Sequence, residues 1–138
     1  METFRGVVYP ARCDAMGHLN VKEYMGFFDQ AAWHCVLALG FDPSEVRDRG
    51  IGWADVKHTI SYKRECRAGD LIRISSEVIE VGTKSLTMRH LLFNAFDEQL
   101  CAELSGVAVQ YDLNARRAIP LLEHVRKNTF VQLNTKAV

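Results

Sequence analysis

The sequence predicts an α+β chain in which one long helix packs with about five long antiparallel strands. Three observations point there: one stretch with the helical period, a later succession of β-branched and aromatic runs, and very short turns between those runs. Parallel neighbours need crossovers of a dozen or more residues, so such turns make antiparallel hairpins. A single domain over residues 1–138 is expected, because a chain of 138 residues that is 48% hydrophobic can build one core.

Phe4 to Tyr9 (FRGVVY) is a short strand stopped by Pro10, which has no N–H to give a ladder. From Val21 to Leu39, the residues Val21, Tyr24, Met25, Phe28, Ala32, Cys35, Val36 and Leu39 recur at three- and four-residue spacing. Phe27, Trp33 and Leu37 widen that stripe, which predicts a helix largely wrapped by other structure. Asn20 followed by Glu23 suits an N-cap with an acid at N3, and Gly40 suits a left-handed residue after the last turn.

Beyond a loop around Asp42 to Gly52, strands are expected over Asp55 to Cys66, Asp70 to Val81, Ser85 to Phe96 and Leu100 to Leu113. Their turns are Ala68-Gly69-Asp70, Gly82-Thr83-Lys84 and Asp97-Glu98. Alternation is imperfect, as in VIEV at Val78 to Val81, so both sheet faces are expected to be part-buried. Pro120 to Val125 closes the chain with a short helix. So little helix cannot cover both faces of the sheet, and a second subunit is the expected cover.

Lys plus Arg and Asp plus Glu number 17 each, so the chain lacks the net positive field that nucleic-acid or anionic-membrane binding relies on. No run approaches the roughly 18 to 20 apolar residues that span a bilayer, and METFRGVVYP has no signal-peptide core. A soluble, cytoplasmic protein with no nucleic-acid or membrane partner is expected. Cys13, Cys35, Cys66 and Cys101 are scattered without a CxxC, which predicts buried free thiols and no metal site.

The chemistry concentrates in CDAMGHLN, Cys13 to Asn20, between the first strand and the long helix. A carboxylate there lies near unpaired amides carrying roughly half a positive charge, which favours its ionised form. The same amides can polarise a ligand carbonyl while Asp14 acts on the carbonyl carbon. Gly17 permits a tight turn or close ligand approach, and His18 and Asn20 add hydrogen-bonding side chains. Turn and cap duty alone would also account for Asp14, Gly17 and Asn20, since such residues dominate these places.

Asp14-Ala15-Met16-Gly17-His18-Leu19-Asn20, continued to Tyr24, resembles the D-x-x-G-H-[VL]-N-x-x-x-Y signature of hot-dog fold acyl-CoA thioesterases of the 4-hydroxybenzoyl-CoA thioesterase type. Ile60-Ser61-Tyr62 leading to Ala68-Gly69-Asp70 is similar to that family's aromatic-then-GD turn. The resemblance implies a hot-dog fold, with the sheet wrapped around the helix, and hydrolysis of an acyl-CoA to free acid and CoA without metal or redox cofactor. It makes Asp14 the general base or nucleophile, with the backbone N–H groups of Asn20 and Val21 holding the carbonyl oxygen. His18 then orients the loop, bonds the ligand or moves a proton, Asn20 caps or contacts the ligand, and Gly17 and Tyr24 lie at the pocket.

The family's dimer builds each site from two chains, which implies a homodimer or homotetramer and places His58 as a candidate facing Asp14 of the other subunit. Coenzyme A phosphates call for cations, for which Lys84 and Arg89, the Lys63, Arg64 and Arg67 cluster and Arg116-Arg117 are the candidates. Met25, Phe27, Phe28 and Trp53 are candidate walls of an apolar acyl pocket. Two other readings compete: a non-catalytic acyl-CoA sensor, which would not need Asp14, and an acyl-thioester hydratase or dehydratase. The last would require a histidine paired with a second acid across the dimer.

Overall fold

The computed structural model describes residues 1–136 and runs β1 (Glu2–Val7), a 3-10 turn (Pro10–Arg12), α1 (Val21–Ala38) and a π-type turn (Glu45–Arg49). It continues through β2 (Ile51–Tyr62), β3 (Leu71–Val81), β4 (Ser85–Asn94), β5 (Leu100–Asp112), β6 (Arg117–Ala118) and α2 (Glu123–Lys136). The strands form one antiparallel sheet in the order β1-β3-β4-β5-β2, with the two-residue β6 beside β5. This is the hot-dog arrangement that the resemblance implied. β1 pairs with β3 from Val7 opposite Leu71 to Glu2 opposite Ser75, with a bulge between Glu2 and Phe4.

The chain divides into two compact units, residues 1–35, 60–77 and 90–104 in one and the remainder in the other. In the first, Tyr24, Phe27, Phe28 and Ala31 of α1 pack against Ile72 and Ile74 of β3, Leu92 of β4 and Ala102 and Leu104 of β5. Phe28 is fully enclosed, so Phe28→Ala would cost ~3–5 kcal/mol. A buried polar chain crosses this core: Thr3 Oγ1 meets Ser76 Oγ at 2.6 Å, and Ser76 Oγ meets His90 Nδ1 at 2.6 Å. Each group there is satisfied by its neighbour, which is what makes burial of such atoms tolerable.

In the second unit, the end of α1 closes as a Schellman motif. Gly40 has φ 93°, its N–H donates to Leu37 O at 2.9 Å, and Phe41 N–H donates to Val36 O at 3.0 Å. Phe41 then stacks edge-on to Trp53 of β2, with ring centroids 5.6 Å apart. Gln110 fixes the same unit from inside, donating Nε2–H to Gly52 O at 2.7 Å.

Four expectations change. The helix is not wrapped all round: its inner face centres on Ala31 rather than Ala32, while Val21, Trp33 and Leu37 stay exposed. Glu23 does not close a capping box, because its carboxylate is taken by Arg12 and the Asn20 N–H donates to Arg12 O. β2 begins at Ile51 rather than Asp55, since Gly50, at φ 65°, only ends the preceding turn and the backbone extends directly through Gly52. The closing helix runs Glu123–Lys136 rather than Pro120 to Val125. Its buried stripe is Val125 and Thr129 while Phe130 and Val131 face out, a pattern that hydropathy reads backwards.

Candidate active site

The Cys13 to Asn20 stretch forms a small ribbon. Cys13 and Leu19 bridge antiparallel, Asp14 N–H donates to His18 O at 2.8 Å, and Gly17 N–H donates to Asp14 O at 3.0 Å. Gly17 sits at φ 80°, a left-handed conformation that costs a glycine nothing. Asp14 Oδ1 accepts from Met16 N–H at 2.9 Å and from His18 N–H at 3.3 Å. The aspartate is therefore a turn residue, as its type suggested, and the turn fixes where its carboxylate points. Leu19 N–H donates to Cys66 O at 2.7 Å and His18 bridges to Arg67, so the ribbon rests on the chain that follows β2.

In front of the ribbon opens a cleft of about 440 Å³. Asp14, Met16, His18 and Leu19 form one side of it, Val21 and Tyr24 the helix start, and Tyr62, Lys63, Arg64 and Glu65 the opposite wall. Acidic, basic, aromatic and aliphatic groups thus meet on one face, suited to a ligand with a polar reacting centre and an apolar part. Asn20 caps α1 through its side chain, Oδ1 accepting from Lys22 N–H at 3.2 Å. Its own N–H is bonded to Arg12 O at 2.9 Å, which corrects the expectation that Asn20 supplies an oxyanion donor. Val21 N–H has no hydrogen-bond partner among the described residues, so at the cleft it is the first-turn amide available to a ligand oxygen.

Tyr24 borders the cleft but is otherwise core, edge-on to Tyr62 at 5.1 Å between ring centroids. Burial first, with the Cys66 thiol beside it, holds its phenol well above the usual range. Burial and the neighbouring Cys101 push the Cys66 thiol up to about 12. Both groups stay neutral at ordinary pH and act as scaffold behind the cleft wall.

Of the candidate cations, Lys63 and Arg64 line the cleft. Arg64 is held by Asp97 Oδ2 at 2.7 Å and Gln99 Oε1 at 3.0 Å, a partnership that raises its already high pKa, and Arg67 reaches Glu65 Oε1 at 3.4 Å. Lys84, in the β3–β4 turn, and Arg89, half-buried on β4, do not line the cleft. His58, expected to face Asp14 of a second subunit, has its Nε2 3.8 Å from Asp55 Oδ1 on β2 within its own chain. Met25, Phe27 and Phe28 belong to or pack on the core, and Trp53 stacks on Phe41; none of the four lines the cleft.

Glu65 was not anticipated. Its carboxylate lies within hydrogen-bonding reach of His18 Nε2 on the cleft wall. Within YKRECR it reads as one acid in a basic surface run, and only the His18–Arg67 bridge brings it to the histidine.

Comparisons with known proteins follow the same line. Residues 8–129 match the family model described as the thioesterase-like superfamily. The long-chain acyl-CoA thioesterase FadM of Escherichia coli is 24% identical over 118 residues, covering 83% of this chain and 86% of that protein. A Staphylococcus aureus protein solved in complex with CoA superposes with a TM-score of 0.89 at 14% identity, covering 97% of this chain and 85% of the other. The 1,4-dihydroxy-2-naphthoyl-CoA thioesterase Slr0204 from Synechocystis superposes with a TM-score of 0.80 at 16% identity, covering 92% of this chain and 93% of its own. At such identities the superpositions establish the shared fold. The family match, over nearly its whole length, places the chain in the thioesterase-like superfamily.

Proposed function

We propose that this thioesterase hydrolyses acyl-CoA thioesters, with Asp14 acting on the thioester carbonyl and the Val21 amide receiving its oxygen. The observation that carries the reading is the Asp14 carboxylate at the cleft, held by its Oδ1 bonds to Met16 and His18, in a cleft that Val21, whose amide has no partner among the described residues, also lines. As general base, Asp14 takes a proton from water, the hydroxide adds to the carbonyl carbon, and negative charge gathers on the oxygen at Val21 N–H. Collapse breaks the C–S bond, and the CoA thiolate takes a proton to leave as the thiol, with the free acid as the other product. As nucleophile, Asp14 would form an anhydride that water then opens; a single turnover in 18O water labels Asp14 only in that course. Neither course calls on a metal or redox cofactor.

FadM's activity on long-chain acyl-CoA supports the same substrate class, and the mixed cleft leaves the acyl group to be found by assay. The assay is a panel of fatty-acyl and aryl-acyl CoA thioesters read with a thiol reagent. Turnover by wild type and loss of about 10²–10⁴-fold in Asp14→Asn is expected, and an equally active Asp14→Asn rejects the reading. An enoyl-CoA belongs in the panel, because the His18–Glu65 pair supplies, within one chain, the histidine–acid partnership a hydratase would use. The working form is a homodimer or homotetramer in the cytoplasm: β2 is a sheet edge with Val56 and Tyr62 exposed, and an open edge of this length invites a second copy.

A further inference from the structure

Glu65 lies where the chain is pinned on both sides. The amides of Lys63 and Arg64 donate to Cys101 O at 2.8 and 3.1 Å, and Cys66 O accepts from Leu19 N–H at 2.7 Å. From this fixed wall the Glu65 carboxylate meets His18 Nε2 with one oxygen and Arg67 Nη2 with the other, the latter at 3.4 Å. A carboxylate offers only acceptors, so the imidazole nitrogen facing it carries the hydrogen, and in the neutral ring Nδ1 is left as the acceptor. The main chain of the same histidine brackets Asp14, with His18 N–H on Oδ1 at 3.3 Å and His18 O accepting from Asp14 N–H at 2.8 Å.

Resting on the function proposed above, we infer that Glu65 is a positioning residue that acts through His18: it fixes the imidazole tautomer and, by holding that ring, the peptide units that aim the Asp14 carboxylate into the cleft. The His18 and Glu65 side chains are 32% and 45% exposed, so water screens their charges and the pair contributes geometry more than electrostatic energy. Placement alone has large kinetic leverage, since a misplacement of about 1 Å can cost a factor of ~10² in rate.

The test is steady-state kinetics on a CoA thioester from the panel, with Glu65→Ala, Glu65→Gln, His18→Ala and the Glu65→Ala/His18→Ala double variant, alongside 15N spectra of the His18 ring. Glu65→Ala is expected to lower kcat by roughly ten- to a hundredfold with KM little changed. Glu65→Gln keeps an acceptor oxygen and recovers most of the loss. The double variant is no slower than His18→Ala, because both substitutions break one link. The wild-type ring carries its hydrogen on Nε2. Additive losses, a change in KM alone or a neutral ring with its hydrogen on Nδ1 overturns the inference. Should Glu65→Ala fail to fold, Glu65→Gln and the wild-type spectrum decide it. An inactive Asp14→Asn with additive Glu65 and His18 effects defeats only the positioning role, whereas a fully active Asp14→Asn defeats the proposed function.

Discussion

Arg12 Nη1 lies 2.6 Å from Glu23 Oε2 while the Arg12 carbonyl accepts the Asn20 N–H at 2.9 Å, so one residue ahead of the ribbon grips both its end and the first turn of α1. With Arg12 52% exposed, the ion pair contributes no more than about 1 kcal/mol, and salt should weaken it. Arg12→Ala is therefore expected to lower the melting temperature slightly at low salt and less at high salt. Calorimetry at two ionic strengths checks this, and a salt-independent loss would mean that packing of the arginine stem matters more than its charge.

Gly17→Ala isolates backbone strain, because at φ 80° a new Cβ would meet nothing within 4 Å. The cost is about 1–2 kcal/mol, confined to the ribbon that carries Asp14. Turnover should fall and the melting temperature should drop by several degrees, and Gly17→Asn, which tolerates the left-handed region, should lose less of both. Equal activity of the alanine variant would show that the carboxylate does not depend on this turn.

The C-terminal helix should prove to be a clamp on the end of α1. Asn128 Nδ2 donates to Leu39 O at 2.8 Å, and His124 Nε2 lies 3.0 Å from Gly40 O. Asn128→Ala strands a carbonyl and should cost ~1–3 kcal/mol by urea unfolding. Thr129→Val should cost less than about 1 kcal/mol, because the buried hydroxyl bonds only to Val125 O in its own helix, at 2.8 Å.

Alkaline pH should destabilise the fold through Cys66. Its folded pKa is raised from 9.0 to about 12, burial being the first cause, so the unfolded chain releases the thiol proton earlier than the folded one. The stabilisation is present in full below about 9 and is lost as pH rises from there to about 12, with Tyr24 acting in the same direction. A melting temperature measured from pH 7 to 11 should bend downward above 9, and Cys66→Ala should flatten the bend. In the native protein a thiol reagent should modify Cys13 first, since Cys35, Cys66 and Cys101 are buried.

The exposed β2 edge leads to a mass prediction. Light scattering at micromolar concentration should give at least twice the chain mass, and Val56→Lys should shift it toward one chain, since a charge on an edge strand opposes pairing. A monomeric wild type would contradict the assembly.

The sequence by itself determined the elements that depend on near neighbours: the three-and-four stripe of α1, the Gly40 stop, the hairpins of β3, β4 and β5, and a ribbon at Asp14 whose turn chemistry lies within five residues. Helical period, left-handed caps and Asx turns are local physics and are legible in order along the chain. Tertiary structure decided what depends on distant partners. It gave Glu23 to Arg12 instead of to the cap, spent the Asn20 amide on Arg12 O, and set Glu65 against His18. It also turned Thr129 inward and Phe130 outward, because a hydroxyl bonded to its own helix can be buried without a distant partner. Which side chains face one another across the cleft is set by strand register and loop pinning, and these bring together residues that composition and spacing keep apart.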